Sequence, residues 1–280
     1  MLSVSDTCIS IDFAICFCRD ILGFNGVEGR EFGGKVTLPM HRKVEILKER
    51  YYPWTDDVYC KFEEKVQSFL TPETVLLDAG CGHEASPTLQ RLVPLVQSAI
   101  GIDEIDFDPS TEPKLRFLRA NLHEVPLPDA SVDIVMARSV VEHLADPLSA
   151  YREFYRILKP GGRFIFATCN RLHYAIIASS LIPNSVHKPI VKFLEGRSEE
   201  DTFPTRYRSN LRSSIYSLAA KSGFTVEDFA YVGEWPSYLA FHPWAFRVGM
   251  AYDRITRAVP ALAPLRRWII VELRKDSASR

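Results

Sequence analysis

One short stretch constrains the fold of this chain more than any other. It reads TVLLDAGCGHEA, from Thr74 to Ala85, and joins an apolar run to a turn that contains two glycines. The run 75–77, closed by Asp78, is typical of a strand buried on both faces of a parallel sheet. Gly80 and Gly82 allow a tight turn and leave room beside the backbone. A carboxylate followed by such a turn predicts a ligand site at the carboxyl edge of an open α/β sheet.

Strand and helix signals alternate along the chain after this stretch. Ser86-Pro87 and Asp146-Pro147 are helix starts, and Gly223 is the expected end of a later helix. Seven strands are predicted, at 75–78, 98–102, 116–120, 132–137, 163–168, 224–231 and 267–273. The alternation favours a single α/β domain with a Rossmann-like, seven-stranded, mostly parallel sheet, helices on both faces, and cap segments at the two ends.

Further helices are predicted from their own patterns. Asp57 precedes a run with apolar residues at helical spacing, and Asn210–Ser222 reads as an amphipathic helix. Ser139 and Glu142 have the spacing of a capping box, which predicts a short helix directly after the fourth strand. The apolar stretch 171–196 is also helical in pattern, although two prolines interrupt it.

The chain divides into five segments on these patterns. Residues 1–39 fit no periodic template and are expected to be an N-terminal extension, either mobile or upstream of a natural start near Met40. The other four are a helical cap at 40–73, a binding core at 74–170, a cap insert on the acceptor side at 171–210, and the C-terminal part of the sheet at 211–280 with an aromatic insert.

Composition excludes several classes of protein. With 34 basic and 35 acidic residues and no long run of either sign, the chain lacks the footprint of a nucleic-acid binder. Its six cysteines form neither CxxC pairs nor a disulfide framework, which favours a reducing, cytoplasmic setting and predicts no metal site. The apolar segment 8–24 carries Asp12, Arg19 and Asp20, so we expect neither a signal peptide nor an integral membrane association.

Two ligands fit the glycine turn at first sight. Residues 80–85 match the pattern GxGxxA, and Asp103 follows at the distance that the dinucleotide fingerprint requires. A carboxylate at the tip of the second strand suits a ribose whose two hydroxyls both donate to it. NAD and S-adenosylmethionine (SAM) each carry such a ribose.

Other polar positions favour SAM. Asp78 would oppose a pyrophosphate but can help to hold an ammonium group. Asn121, followed by apolar Leu122, suits the amino group and the ring edge of an adenine. The segment from Asn121 to Gly162 has no counterpart in the dinucleotide fingerprint.

Four sequence pieces together resemble the class I SAM-dependent methyltransferases, particularly the small-molecule group called type 11. They are VLLDAGCG, GIDE, NLHEVPLPDASVDIVMARSVVEHLADP and LKPGGRFIFAT, within residues 75–168. The resemblance implies a cofactor site with four parts. The methionine and ribose of SAM would face Asp78, Gly80, Cys81 and Gly82, and the ribose hydroxyls would donate to Asp103. The adenine would be framed by Asn121 and Leu122, and the sulfonium would lie above Arg138 and Ser139. The family usually has a small residue near Glu84 and Asp at the position of Asn121, so we expect weakened SAM binding.

Methyl transfer from a sulfonium is an in-line displacement, so alignment of the reactants is the main requirement. A base is needed when the acceptor must lose a proton. His143 follows the capping-box glutamate, and His173 with Tyr174 follows the fifth strand, so these three are the candidate catalytic or acceptor-contacting residues. Tyr207 and Arg208 could hold an anionic acceptor, and the aromatic insert 235–252 could wall an apolar one.

The sequence therefore predicts a methyltransferase that acts on a small, apolar or amphipathic metabolite. An NAD-dependent oxidoreductase is one alternative, and a non-catalytic SAM-fold module that binds a partner is another. The acceptor, the methylated atom and the oligomeric state stay open at this point.

Overall fold

The computed structural model describes residues 40–53, 57–83, 85–107, 112–181 and 205–277. The predicted extension at 1–39 and the second part of the helical stretch 171–196 lie outside these ranges. The helices are α1 Met40–Tyr51, α2 Val58–Gln67, α3 Pro87–Leu92, α4 Pro147–Ile157, α5 Tyr174–Leu181, α6 Arg212–Ser222 and α7 Pro243–Ala258. The strands are β1 Val75–Ala79, β2 Ser98–Asp103, β3 Leu115–Arg119, β4 Val132–Arg138, β5 Leu158–Cys169, β6 Phe224–Val232 and β7 Trp268–Lys275. No helix in the described part of the chain has the length and apolarity to cross a membrane.

The strands form one seven-stranded sheet in the order β3-β2-β1-β4-β5-β7-β6. Neighbours from β3 to β5 are parallel, whereas β7 is antiparallel to both β5 and β6. The prediction of a mostly parallel, seven-stranded sheet is confirmed. The carboxyl ends of β1 to β6 and the start of β7 consequently meet at one edge, and the strand order reverses direction between β1 and β4, where open α/β folds form their ligand crevice.

Both faces of the sheet are covered because adjacent residues of a buried strand point to opposite sides. On β1, Leu76 packs in a cluster with Phe62 of α2, and Leu77 packs in another with Phe154 of α4, all of them fully buried. Such two-sided burial explains why β1 reads as a continuous apolar run rather than an alternating one.

The helix ends follow the predicted signals. The Ser86 hydroxyl accepts the N–H of Leu89 at 3.0 Å at the start of α3, and the Asp146 carboxylate accepts that of Ser149 at 3.2 Å at the start of α4. Gly223 ends α6 with φ of 90°, in the left-handed region that glycine adopts without strain.

The prediction of a short helix from the spacing of Ser139 and Glu142 is wrong. Ser139 adopts φ of 58°, whereas a residue that caps a helix start has an extended backbone. Its N–H donates to the carbonyl of Ala167 on β5, so it cannot take part in a reciprocal capping box. The Glu142 carboxylate instead accepts the hydroxyl of Thr168 at 2.7 Å. Pairing between β4 and β5 overrides the local pattern, and the segment is a turn.

The segment between β6 and β7 contains α7, which begins within the aromatic insert 235–252 and ends beyond it at Ala258. One side of this helix packs against α1, where Phe246 and Met250 form a small buried cluster with Val44. The insert therefore packs against the first helix of the described chain.

Candidate functional site

The glycine turn after β1 is held against the end of β2. The N–H groups of Gly80 and Cys81 both donate to the carbonyl of Ile102, at 2.7 and 3.2 Å. Gly80 has φ of 76°, and an added Cβ would collide with the side chain of Val140. Gly82 has φ of 75°, but an added Cβ would meet no atom of the described residues within 4 Å. The first glycine is thus required for packing, while the second borders open space.

Asp103 lies beside this open space at the tip of β2. Its carboxylate accepts the N–H of Gly82 at 3.0 Å through one oxygen and the N–H of Glu104 at 2.7 Å through the other. Two backbone donors fix the orientation of the carboxylate, and each oxygen keeps a lone pair for a further donor. The arrangement suits a group that presents two hydroxyls.

Asp78 is a buried carboxylic acid on the neighbouring strand. It is only 1% exposed, and its hydrogen-bond donor among the described residues is the hydroxyl of Ser86 at 2.6 Å. Burial raises the pKa of Asp78 to about 7, against the smaller lowering effects of the Ser86 hydrogen bond and the charge of Arg138, and Asp103 adds to the increase. A cation brought next to this group would therefore be stabilised by it.

Asn121 and Leu122 follow β3 and continue the same edge. Leu122 is buried, whereas Asn121 is exposed and donates from its amide nitrogen to the carboxylate of Glu104 at 2.5 Å. The amide oxygen of Asn121 accepts the N–H of His123 at 2.8 Å and keeps one lone pair. Glu104 therefore links the tips of β2 and β3, a contact that adjacent strands create and that spacing along the chain does not reveal.

Arg138 ends β4, Ser139 follows it, and both meet α2. The guanidinium of Arg138 lies over the ring of Tyr59, 4.7 Å from its centroid, and the Tyr59 hydroxyl and the Ser139 hydroxyl are 3.1 Å apart. Burial raises the pKa of Tyr59. The sequence marks Tyr59 only as a neighbour of core positions in α2, so its place at this edge was not predictable.

The turn that follows β4 carries Glu142 and His143. Glu142 is 5% exposed, and burial raises its pKa while the hydrogen bond from Thr168 lowers it. The amide nitrogen of Asn210 donates to the Thr168 oxygen at 2.8 Å, so the network reaches the start of α6. His143 is half-buried and its N–H donates to the carbonyl of Val140. Glu142, interpreted from sequence as a helix cap, is a buried acid at the sheet edge.

His173 and Tyr174 lie after β5 and line a narrow cavity. Burial, with a contribution from Arg267, lowers the pKa of His173 to about 3, so its ring is neutral. Burial raises the pKa of Tyr174 to about 12. The Nδ1 atom of His173 and the hydroxyl of Tyr174 have no hydrogen-bond partner among the described residues. The other walls include Tyr238, Tyr252 and Arg267, with room for about one water molecule, about 10 Å³.

Tyr207 and Arg208 lie near this region without forming an obvious anion site. The N–H of Tyr207 donates to the carbonyl of Glu142, and a guanidinium nitrogen of Arg208 donates to the carbonyl of Ala145. Their predicted contact with an anionic acceptor stays a prediction.

Residues 77–166 match the family described as "Methyltransferase domain". Residues 77–166, about a third of this chain, therefore have the sequence of a methyltransferase domain. A "Probable S-adenosylmethionine-dependent methyltransferase" of Mycolicibacterium smegmatis is 36% identical over 107 residues, which is 36% of this chain and 40% of that relative. A malonyl-acyl-carrier-protein O-methyltransferase of Yersinia pestis is 35% identical over 98 residues, 34% of this chain and 36% of that protein. The chain thus matches well under half the length of these curated relatives.

The fold of this chain agrees with that of a solved structure. The geranyl diphosphate C-methyltransferase of Streptomyces coelicolor, solved with Mg²⁺, geranyl diphosphate and S-adenosyl-L-homocysteine, superposes with a TM-score of 0.52 at 16% identity, covering 87% of this chain and 84% of that chain. At this identity the likeness concerns the fold.

Within the described part of the chain, tertiary structure brings predicted site residues together in two groups. The first contains the turn at 80–82 with Asp78 and Asp103, and it reaches Asn121 through Glu104. The second contains His173 and Tyr174, which lie where β5, β6 and β7 meet the same edge of the sheet.

Proposed function

We propose that this chain transfers a methyl group from SAM to a small, apolar or amphipathic acceptor. The observation that carries the proposal is the joint geometry of Asp103 and Gly82. A carboxylate held by two backbone N–H groups stands beside a left-handed glycine that borders open space. This combination leaves both the room and the acceptors that a ribose requires.

The residues present at the edge fit the cofactor. Asp103 would accept the two ribose hydroxyls, Asn121 with Leu122 would border the adenine, and the backbone at Gly82 would lie against the chain of atoms between them. Arg138 and Ser139 would flank the reacting end. When bound, SAM supplies an electrophilic methyl group on a positively charged sulfur.

Asp78 would act on that charge from within the protein. A buried carboxyl group with a pKa of about 7 is partly protonated near neutral pH, and a nearby cation favours its ionised form. Binding of a cationic ligand should therefore be coupled to loss of a proton from Asp78.

The acceptor would lie toward β5 and β7. His173 and Tyr174 offer two unpartnered polar atoms among the rings of Tyr238 and Tyr252, which suits a small polar group on an otherwise apolar molecule. A histidine with a pKa of about 3 is a weak base, so we assign His173 to hydrogen bonding with the acceptor.

Proton removal, where an acceptor requires it, falls to residues of the turn after β4. Glu142 is buried at the sheet edge with a raised pKa, and His143 adjoins it. A base is most effective when its pKa lies near the working pH, so the raised pKa makes Glu142 the better candidate than His173.

We also place the protein in the cytoplasm. The described cysteines Cys60, Cys81 and Cys169 are all free thiols, and burial raises the pKa of each of them. Protonated thiols without a disulfide among these three cysteines are consistent with a reducing compartment.

Titration calorimetry with S-adenosylhomocysteine tests the cofactor assignment. The wild-type chain should bind it and should not bind NADH. Asp103→Ala should weaken binding about 10- to 150-fold, corresponding to about 1.5–3 kcal/mol for hydrogen bonds to a charged group. Asp129→Ala, in the loop that precedes β4 at the opposite edge of the sheet, is the control and should bind like the wild type. Equal affinities of all three proteins would remove Asp103 from the site.

A further inference from the structure

The outward face of α7 carries a continuous stripe that is apolar and basic. Its members recur every three or four residues, as one side of a helix with about 3.6 residues per turn requires. They are Trp244, Arg247, Val248, Ala251, Arg254, Ile255 and Ala258, all exposed. Trp244 is 68%, Val248 47% and Ile255 53% exposed. None of these seven residues is acidic, and the single acid of α7, Asp253, is buried.

A groove between α7 and α1 extends the stripe. It has a volume of about 540 Å³ and is lined by Lys43, Ile46, Leu47, His242, Pro243, Trp244 and Arg247. Ile46 is 42% exposed. The lining of the groove contains two permanent cations and no carboxylate, so its chemistry is the same as that of the stripe.

The stripe stands on a well-packed base, so its apolar residues are not needed to hold α7 in place. The inner side of the helix is anchored by Phe246 and Met250, and Gly249 allows close approach to Pro236. The guanidinium of Arg254 lies 4.9 Å from the ring centroid of Tyr51 on α1. Large exposed apolar side chains next to cations, on an element already packed from the other side, mark an interaction surface.

The chemistry of the surface selects one kind of occupant. A second copy docking through a two-fold axis would set the stripe against itself and bring its arginines close to those of the other copy, with no acid in the stripe to offset them. A nucleic acid would find few cations and a large apolar area, on a chain whose net charge is −1. An anionic phospholipid bilayer offers phosphate and carboxylate groups to the arginines and an apolar boundary to the tryptophan, valine and isoleucine.

We propose that the stripe of α7 and the adjoining groove dock peripherally on an anionic phospholipid surface. The helix would lie parallel to the bilayer with Trp244, Val248 and Ile255 in the interface and the arginines at the headgroups. The opposite side of α7 contributes Gly249, Tyr252, Asp253 and Thr256 to the lining of the cavity at His173. One helix therefore connects the lipid-facing surface with the candidate acceptor cavity, while the docking proposal itself does not depend on methyl transfer.

Co-sedimentation of the full chain with vesicles tests the proposal. Binding is expected to vesicles of phosphatidylcholine mixed with phosphatidylserine, to weaken as salt is added, and to be at least tenfold weaker on phosphatidylcholine alone. Arg247→Gln with Arg254→Gln should reduce binding about 30-fold, since each cation near the surface contributes about fivefold. Trp244→Ala should reduce it about tenfold.

The control removes two exposed cations elsewhere, Arg116→Gln with Lys221→Gln, and should bind like the wild type. All variants should unfold at the same temperature as the wild type, because the altered side chains are exposed. The proposal is overturned if the wild type does not bind anionic vesicles or if the control variant loses as much binding as the stripe variants. It is also overturned if sedimentation shows a dimer that Trp244→Ala dissociates, or if the arginines are needed for binding of a DNA duplex and not of vesicles.

Discussion

Two buried carboxylates at different places in the sheet have different kinds of partner. Glu272 on β7 is 3% exposed and pairs with two cations, Lys65 at 2.5 Å and Arg163. Asp78 on β1 is 1% exposed, and its hydrogen-bond donor among the described residues is the neutral hydroxyl of Ser86. Among the described residues, Glu272 therefore contacts two cations, whereas Asp78 contacts a neutral hydroxyl.

The difference separates scaffold from site. Glu272 joins α2 and β5 to β7 through its ion pairs, which is a structural role that is complete within the chain. Asp78 stands beside the turn at 80–82 without an ion pair among the described residues, a situation that costs stability when the group is ionised and is relieved by a bound cation. An acid that is left in this state is more readily explained by binding than by folding.

The largest expected effect concerns the paired acid. Replacing both of its partners, Lys65→Met with Arg163→Met, should lower the free energy of unfolding by about 3–5 kcal/mol, because a buried charge is left unpaired. Urea denaturation measures this loss. Adding Glu272→Gln to the double variant should restore a large part of it. If the triple variant is no more stable than the double, the packing of the two long side chains matters more than their charges.

The unpaired acid should respond in the opposite direction. Because the pKa of Asp78 in the folded protein is about 7 and the unfolded value is about 3.9, the folded state holds the proton more tightly. The contribution of this group to stability is therefore full below about pH 4 and is lost as the pH rises toward and through about 7. Asp78→Asn should raise the free energy of unfolding by about 2 kcal/mol at about pH 8 and change it little at about pH 4.

Thermal unfolding of both proteins across this pH range checks the prediction, and calorimetry adds a second readout. The stabilised variant should bind S-adenosylhomocysteine more weakly than the wild type above about pH 7, since it cannot offer a negative charge to the ligand. A variant that is stabilised and binds equally well would show that Asp78 faces no charged part of the ligand.

The smallest expected difference, about 1 kcal/mol, is between alanine substitutions at the two glycines of the turn, which share a left-handed backbone and differ in their surroundings. Gly80→Ala adds a collision with Val140 to the backbone strain and should cost about 2 kcal/mol or more of stability. Gly82→Ala, which meets no atom within 4 Å, should cost about 1 kcal/mol. Denaturation curves measure both costs. Relative to the stability that each variant loses, Gly82→Ala should weaken binding of S-adenosylhomocysteine more than Gly80→Ala does. If the two variants lose the same affinity relative to their lost stability, the ligand does not occupy the open space.

Much of the fold could be predicted from the sequence because its signals are local. Ser86, Asp146 and Gly223 act through hydrogen bonds or backbone angles within a few residues, and each does what its pattern indicates. The predicted strands are all present, although β5 begins at Leu158 rather than at Arg163. The predicted division into five segments and the roles of the site residues stay predictions.

Where prediction failed, a contact from a distant segment had replaced a local one. The predicted capping box at Ser139 and Glu142 does not form, because both residues bond to β5 instead. Glu104 and Tyr59 reached the site only because neighbouring strands and a helix brought them there. The spacing of residues along the chain does not predict such contacts.

The sequence by itself determined the alternation of strands and helices, the turn at 80–82 and the acidic and amide tips that follow β2 and β3, because chain geometry and side-chain chemistry act over a few residues. Tertiary structure alone decided that Glu272 has ion pairs whereas Asp78 has a neutral donor among the described residues, that β7 lies antiparallel between β5 and β6, and that α7 turns an apolar, basic stripe outward. The physical reason is that burial and charge compensation are properties of what surrounds a residue, and the surroundings are assembled from parts of the chain that are far apart in sequence.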